Sequence, residues 1–186
     1  MTEKQLIKDC RKGVKSSQYL LVQRYSGMLL SVCRRYARDE AMARDLLQET
    51  LIRVFTHIDK YQPTGSFEAW MRQIAIRRSL QWLGKVHFQQ EQQVDALPDN
   101  EPEVPEVYVR MEVEEIMQLV HSLPPGFRTV FNLSAVEGYS HQEIAEMLGI
   151  SENTSRSQLM RARKMLQEKI RESKKNGYHE VASIRK

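Results

Sequence analysis

Apolar residues recur every three to four positions along most of this chain, the rhythm of helices that bury one face. Leu21, Tyr25, Met28, Leu29, Val32 and Tyr36 mark one face of a long helix. Leu47, Leu51, Val54 and Ile58 mark the buried stripe expected of the next, which Asp39 opens. Ahead of both, Thr2 and Gln5 are spaced for a capping box, so a short helix is expected to about Gly13. Pro63 and Gly65 break the pattern in YQPTGSF (Tyr61–Phe67), and a further helix is predicted from Phe67 to about Lys85. The helical pattern returns over about Val109–His121, ended by LPPG, and again over about Phe127–Val136. EGYS makes a turn, and Ser140 with Glu143 spells a capping box before a short helix carrying Ile144, Ala145 and Leu148. Gly149 turns the chain, and Ser151 caps a last helix reaching past Ile170. No sustained strand alternation and no internal repeat is visible, so the fold class expected is all-α.

One stretch belongs to no helix. Gln89–Tyr108 holds three prolines and six acids with no base. That composition buries too little apolar surface to offset the entropy of ordering, and it reads as a flexible linker. Two small helical domains are therefore expected, at 1–88 and 113–172, joined by an acidic linker over 89–112 and followed by a basic tail over 173–186. Charge changes sign along the same division. Lys and Arg outnumber Asp and Glu by 16 to 8 over 1–88, fall to 1 against 7 over 89–112, and recover to 11 against 9 over 113–186. Two basic bodies on an acidic strap point to a polyanionic partner more firmly than the net charge of +4 does. Any single charged run is better explained as a solvated face or linker.

The remaining composition mostly excludes. The chain is 186 residues long and 41% apolar, enough for real cores. Lys4, Lys8, Arg11 and Lys12 interrupt the beginning of the chain, and no apolar run approaches a membrane span, so neither a signal peptide nor membrane insertion is expected. Cys10 and Cys33 form no CxxC pair and no metal spacing; they read as free thiols in a reducing cytoplasm. His57, His87, His121, His141 and His179 form no HExxH, and no Gly-rich phosphate loop is present. No catalytic residue, metal or cofactor is expected.

The chemistry concentrates in LGISENTSRSQLMRARKML (Leu148–Leu166). A short helix, a glycine turn and a longer helix spell helix-turn-helix. At 100° per residue, Ser155, Leu159, Ala162 and Leu166 share the inner face. Arg156, Ser157, Met160, Arg161 and Lys164 gather on another, and Glu152 is the only acid before Glu168. Arg bonds guanine bidentately and cations neutralise phosphate, so this face suits a major groove. Ser151, Asn153 and Thr154 at the helix start suit a phosphate, and Ser140 and His141 open the helix on the DNA side. The plainer alternative is an exposed basic helix packed on nothing.

These residues resemble the bacterial extracytoplasmic-function sigma factors, over about Leu6–Leu166. LPPGFRTVFNLSAVEGYSHQEIAEMLGISENTSRSQLMRARKML is similar to their region four, which binds the upstream promoter element. ARDLLQETLIRVFTHIDKY is similar to the region-two helix that binds core polymerase, and GSFEAWMRQIAIRRSLQWL to the helix that engages the downstream element. The resemblance implies an RNA polymerase sigma factor, active through the polymerase β′ coiled coil and β flap, promoter DNA and an anti-sigma factor, and monomeric when free of them. By position it implies polymerase contact for Asp45, Gln48, Glu49 and Ile52. It implies downstream-element contact and melting for Tyr61, Gln62, Thr64, Ser66, Phe67, Gln73, Arg77, Arg78 and Gln81, with Arg72 and Lys85 adding charge. Trp70 and Trp82 are expected to pack rather than stack on bases. The acidic linker is either a tether or, as the family implies, a thread through the polymerase RNA channel. Many relatives have Asn where Arg77 stands, Asn153 replaces a usual small residue, and the tail is longer than the common ending.

Two other functions fit parts of the same sequence. A stand-alone helix-turn-helix regulator would use its first domain to sense or dimerise, and would bind DNA without polymerase. A nucleic-acid enzyme would need a metal or phosphate motif that the chain lacks.

Overall fold

The computed structural model describes residues 1–84 and 113–183, with side chains described over 1–84 and 115–173. The acidic stretch 89–112, Lys85, and Arg185 and Lys186 of the tail lie outside the described residues. The chain divides into two compact units, Met1–Val86 and His87–Lys186. Among the described residues there are helices and no strands.

The first unit holds α1 (Glu3–Arg11), α2 (Lys15–Tyr36), α3 (Glu40–His57) and α4 (Phe67–Gly84), with a 3-10 turn at Ile58–Lys60. α2 packs on α1, α3 and α4, so it is the central rod of this unit. Leu21, Tyr25, Leu29, Val32, Cys33 and Tyr36 are buried along it, with Met28 half-buried at the edge. Asp39 caps α3 by accepting from Met42 N at 2.8 Å. Thr2 Oγ1 accepts from Gln5 N at 3.3 Å, but Gln5 Nε2 turns away to the Asp9 carboxylate at 2.8 Å. The expected capping box at α1 is therefore only half formed: the Thr2 side chain caps the helix, while the Gln5 amide is drawn to the Asp9 carboxylate one turn along.

The expected stripe of α3 is corrected by one position. Leu46 is 1% exposed and Thr50, Val54 and Ile58 are buried, whereas Leu47 and Leu51 are only half-buried. The helix is turned so that Thr50 faces α2, which is possible because its hydroxyl donates to Leu46 O at 2.7 Å and so buries no unmet donor. Both thiols are buried, and desolvation raises the Cys10 thiol and pushes Cys33 up to about 11.

The second unit holds α5 (Val113–His121), α6 (Pro125–Phe131), a π-helical turn at Asn132–Val136, α7 (His141–Leu148) and α8 (Glu152–Ser183). LPPG does more than end α5, because Pro125 sits in the first turn of α6, where a missing N–H costs nothing. α8 packs against α5, α6 and α7 and is the spine of this unit. Val120, Leu123, Ala162 and Leu166 form one core cluster, flanked by Leu119, Phe127, Phe131 and Met165. α8 continues to Ser183, through most of the stretch read as a basic tail; residues 174–183 contain no proline, although Gly177 is a poor helix former.

The rotation of α3 makes a test. Leu46→Ala is expected to destabilise the first unit by about 2–5 kcal/mol, the range for a fully buried leucine, and Leu47→Ala by clearly less. Urea unfolding of the two variants decides it; equal costs would restore the stripe through Leu47.

Candidate nucleic-acid interface

The helix-turn-helix of the second unit is set by three local devices. Ser140 Oγ accepts from Glu143 N at 3.3 Å and Glu143 Oε2 accepts from Ser140 N at 2.8 Å, closing a full capping box. Those bonds, the backbone one first, hold the Glu143 carboxyl below the usual carboxylate range. Gly149 ends α7 at φ +67, in the left-handed region that a side chain would strain. Ser151 Oγ then accepts from Thr154 N at 3.0 Å and starts α8.

α8 sorts its residues as the sequence predicts. Ser155, Leu159, Ala162, Leu166 and Ile170 are buried, together with Gln158. Arg156 and Lys164 are exposed, and Thr154, Ser157, Met160 and Arg161 are half-buried. The Arg156 guanidinium bonds the Glu152 carboxylate at 2.9 Å and reaches Asn153 Oδ1 at 3.5 Å. An exposed i, i+4 pair of this kind contributes little, so an anionic ligand displaces it readily. Ser157 donates its hydroxyl to Asn153 O at 2.8 Å, which leaves that oxygen as an acceptor.

His141 has a further duty beyond the phosphate-side position expected of it. Its Nδ1 shares a 2.8 Å hydrogen bond with the Ser155 hydroxyl, tying the start of α7 to the buried face of α8. Burial lowers its pKa from the ordinary 6.5, and Arg156 and Arg163 lower it further, against an opposing pull from Glu152. Arg163 was not among the expected site residues. It lies seven residues after Arg156, two helical turns along the same side, and that spacing is the signal that could have found it.

In the first unit, the Tyr61–Phe67 segment is built on aromatic rings. Phe67 is 0% exposed and Tyr61 8%, so both belong to the core rather than to a DNA-facing surface. Tyr25 and Tyr61 meet the Phe67 ring edge-on with centroids at 5.9 and 5.0 Å, and Trp70 stacks on it at 5.5 Å. Tyr61 donates its hydroxyl to Gly65 O at 2.7 Å, and Ser66 Oγ accepts from Ala69 N at 3.0 Å to open α4. What remains exposed is the tip: Gln62, Pro63, Thr64, Gly65 and Ser66. Trp70 packs as expected, but Trp82 is 38% exposed, with the Arg38 guanidinium 5.9 Å above its ring.

Between the end of α3 and the outer side of α4 lies a cleft of about 320 Å³. Arg53, His57, Lys60, Arg77 and Arg78 line it, with Trp70, Ile74 and Gln81. Arg77, Arg78 and Gln81 were expected here; Arg53 and His57 come from α3 and Lys60 from the 3-10 turn after it, a segment read for another purpose. Gln73 is exposed on α4 outside that lining, and Arg72 pairs with Glu68 at 3.4 Å. The cleft has apolar walls and a cationic rim, a combination that suits an unpaired base and its phosphates.

The outer face of α3 carries Asp45 and Gln48, both exposed, and Ile52, which is 57% exposed. Glu49 is half-buried and its carboxylate is bonded to the Arg78 guanidinium of α4. So the expected polymerase residue and the expected DNA residue are partners in one ion pair. Among the described residues, no group of three His, Cys, Asp or Glu side chains could hold a metal, and no helix is long and apolar enough to cross a membrane.

Two basic helical surfaces, one of them a helix-turn-helix, are the architecture of a polynucleotide-binding protein. Comparison makes the class explicit. Residues 21–87 match the family model for sigma-70 region 2, and residues 113–166 match that for sigma-70 region 4. The chain belongs to the sigma-70 family, as an RNA polymerase sigma factor of the extracytoplasmic-function (ECF) type that serves transcription initiation. It is 31% identical over 153 residues to the ECF RNA polymerase sigma factor SigE of Mycolicibacterium smegmatis, covering 80% of this chain and 59% of that one. It is 26% identical over 183 residues to the ECF RNA polymerase sigma-E factor of Haemophilus influenzae, covering 91% of this chain and 96% of that one. The fold matches the sigma factor RpoE of Bartonella quintana, crystallised with the anti-sigma factor NepR, at TM-score 0.52 and 19% identity, over 81% of this chain and 94% of that one.

The His141 environment yields a pH prediction. The folded chain binds the His141 proton less readily than the unfolded chain does. Stability of the second unit therefore falls as pH drops below the ordinary 6.5 toward the lower folded value, and is retained above it. His121, lowered by burial and then by Arg128, acts in the same sense. The ring resonances of His141, followed by NMR, are expected to titrate with a midpoint below 6.5; a midpoint at or above it would contradict the half-buried, cation-flanked placement.

Proposed function

We propose that this sigma factor directs core RNA polymerase to its promoters through three surfaces. The outer arc of α8 (Arg156, Ser157, Met160, Arg161, Lys164), with Arg163 and the start of α7 at Ser140 and His141, reads the upstream element. The loop tip Gln62, Thr64 and Ser66, with Gln73, Arg77, Arg78 and Gln81 of α4, meets the downstream element and holds it open. Asp45, Gln48 and Ile52 on α3 dock on the β′ coiled coil. The observation that carries this reading is the division of α8 into a buried stripe and a cation-bearing arc without a single exposed acid between Glu152 and Glu168.

Opening DNA in this way calls for no catalytic residue, so the chain is not an enzyme. Unstacking a base costs about a few kcal/mol, and a pocket with cationic contacts to the freed strand offsets it. Arg77, where many relatives have Asn, places a full charge on the strand where others place an amide. The chain works where polymerase does, in the cytoplasm, and is held inactive by an anti-sigma factor that covers these same faces; the Bartonella quintana RpoE of similar fold is crystallised with the anti-sigma factor NepR.

In vitro transcription with core polymerase, followed by start-site mapping, tests the whole reading; DNA binding that ignores core polymerase would favour a stand-alone regulator. Within that assay, Arg156→Ala is expected to cost about 1–3 kcal/mol and to relax preference at one upstream base pair. Lys164→Ala is expected to weaken all sequences alike and to lower the salt slope by roughly one unit. For polymerase docking, Asp45→Lys is the clean variant, because Glu49 also holds Arg78 in place. It is expected to lose competition for core enzyme while unfolding normally; full competition would mean that another face docks.

A further inference from the structure

The Tyr61–Phe67 loop is held from outside by a helix with no assigned part in promoter recognition. Arg11, the last residue of α1, donates from Nε to Ile58 O at 3.1 Å and from Nη2 to Tyr61 O at 2.6 Å. Its partners lie 47 and 50 residues along the chain, at the first residue of the 3-10 turn that leads into the loop and at the residue just after it. The fixed fork of a guanidinium sets the direction of both carbonyls at once, and so the direction in which the chain leaves Tyr61. At its other end α1 reaches the exit of the loop. Glu3 accepts from the Tyr25 hydroxyl at 2.9 Å, and the Tyr25 ring lies edge-on to Phe67. Between these two anchors only the exposed tip, Gln62 to Ser66, is left to meet a ligand.

Ile58, Tyr61 and Phe67 are themselves buried, so apolar packing holds them in addition to Arg11. What depends on it is the aim of the tip. We infer that Arg11 is a positioning residue for capture of the unpaired downstream-element base: α1 is a strut that fixes the loop before DNA arrives. This rests on the reading that the loop tip meets the opened strand. A preset tip bonds the base without first ordering five residues, and a misplacement of about 1 Å weakens selection far more than it weakens attachment.

The test uses the full chain with core polymerase. Its templates are a duplex promoter and the same promoter with the downstream element already unpaired, carrying each of the four bases or no base at the captured position. Arg11→Ala is expected to keep core affinity and upstream-element binding, and to lose roughly ten- to a hundredfold in preference among the four bases. On the template without that base it should match the unaltered protein. Arg11→Lys, a point donor in place of a fork, should fall between the two, and it carries the same comparison if circular dichroism shows Arg11→Ala unfolded. A Gln62→Ala, Thr64→Ala variant reports separately on the loop. If that variant loses base preference and the Arg11 variants keep it, the strut is overturned and the loop reading stands. If neither loses it, the loop reading fails and the strut with it. An Arg11 defect equally large on the template without the base would also overturn the inference, because Arg11 would then act elsewhere.

Discussion

The buried stripe of α8 is the constraint on which the rest of the second unit depends. Leu159, Ala162, Leu166 and Ile170 are buried along the helix that packs against α5, α6 and α7, and Ser155 at the same face anchors His141. One helix thus serves as spine and as ligand surface, and rotation about its axis is not free. Turning α8 by a single residue step would drive Arg156 or Arg163 into the core, where an unpaired cation is far too costly. Packing therefore fixes where the cations point, and a rigid base for them keeps the entropy of ordering out of the binding step.

The first unit solves the opposite problem. There the functional segment is a loop, and loops contribute little apolar burial of their own. The chain compensates by burying the ends of the loop instead of its middle. Tyr61 and Phe67 are locked among Tyr25 and Trp70, Ser66 caps α4, and Arg11 grips the approach. The Glu49–Arg78 pair then joins α3 to α4 across the rim of the basic cleft. The faces proposed for polymerase docking and for strand capture are neighbouring sides of one ion-paired helix pair, so a charge change on either would be felt by the other.

How much of this could be read from the sequence depends on how local the physics is. The capping box at Ser140 and Glu143, the cap at Ser151, the turn at Gly149 and the sorting of α8 were legible because each is set within four residues. The orientation of α3 was not. Thr50 reads as polar until its hydroxyl is seen to bond its own helix, and only then does Leu46 displace Leu47 from the core. Phe67 and Tyr61 looked like loop aromatics because the Phe67 ring packs on Tyr25, far away in the chain, and Tyr61 packs on Phe67 in turn. Arg53, His57 and Lys60 entered the cleft, and Arg11 reached the loop, only through tertiary contacts that no sequence spacing announces.

The central claim, that each unit presents one preset face to promoter DNA, is tested most directly by local DNA cleavage. Cys10 and Cys33 are buried, with raised thiol pKa values, so a single introduced cysteine is the reactive one. An iron chelate would be attached at Ser157→Cys on the α8 arc or at Thr64→Cys on the loop tip, in complexes with core polymerase on a mapped promoter. The account predicts cuts confined to the upstream element from position 157 and to the downstream element from position 64. Cuts scattered along the promoter, or the two patterns exchanged, would contradict it.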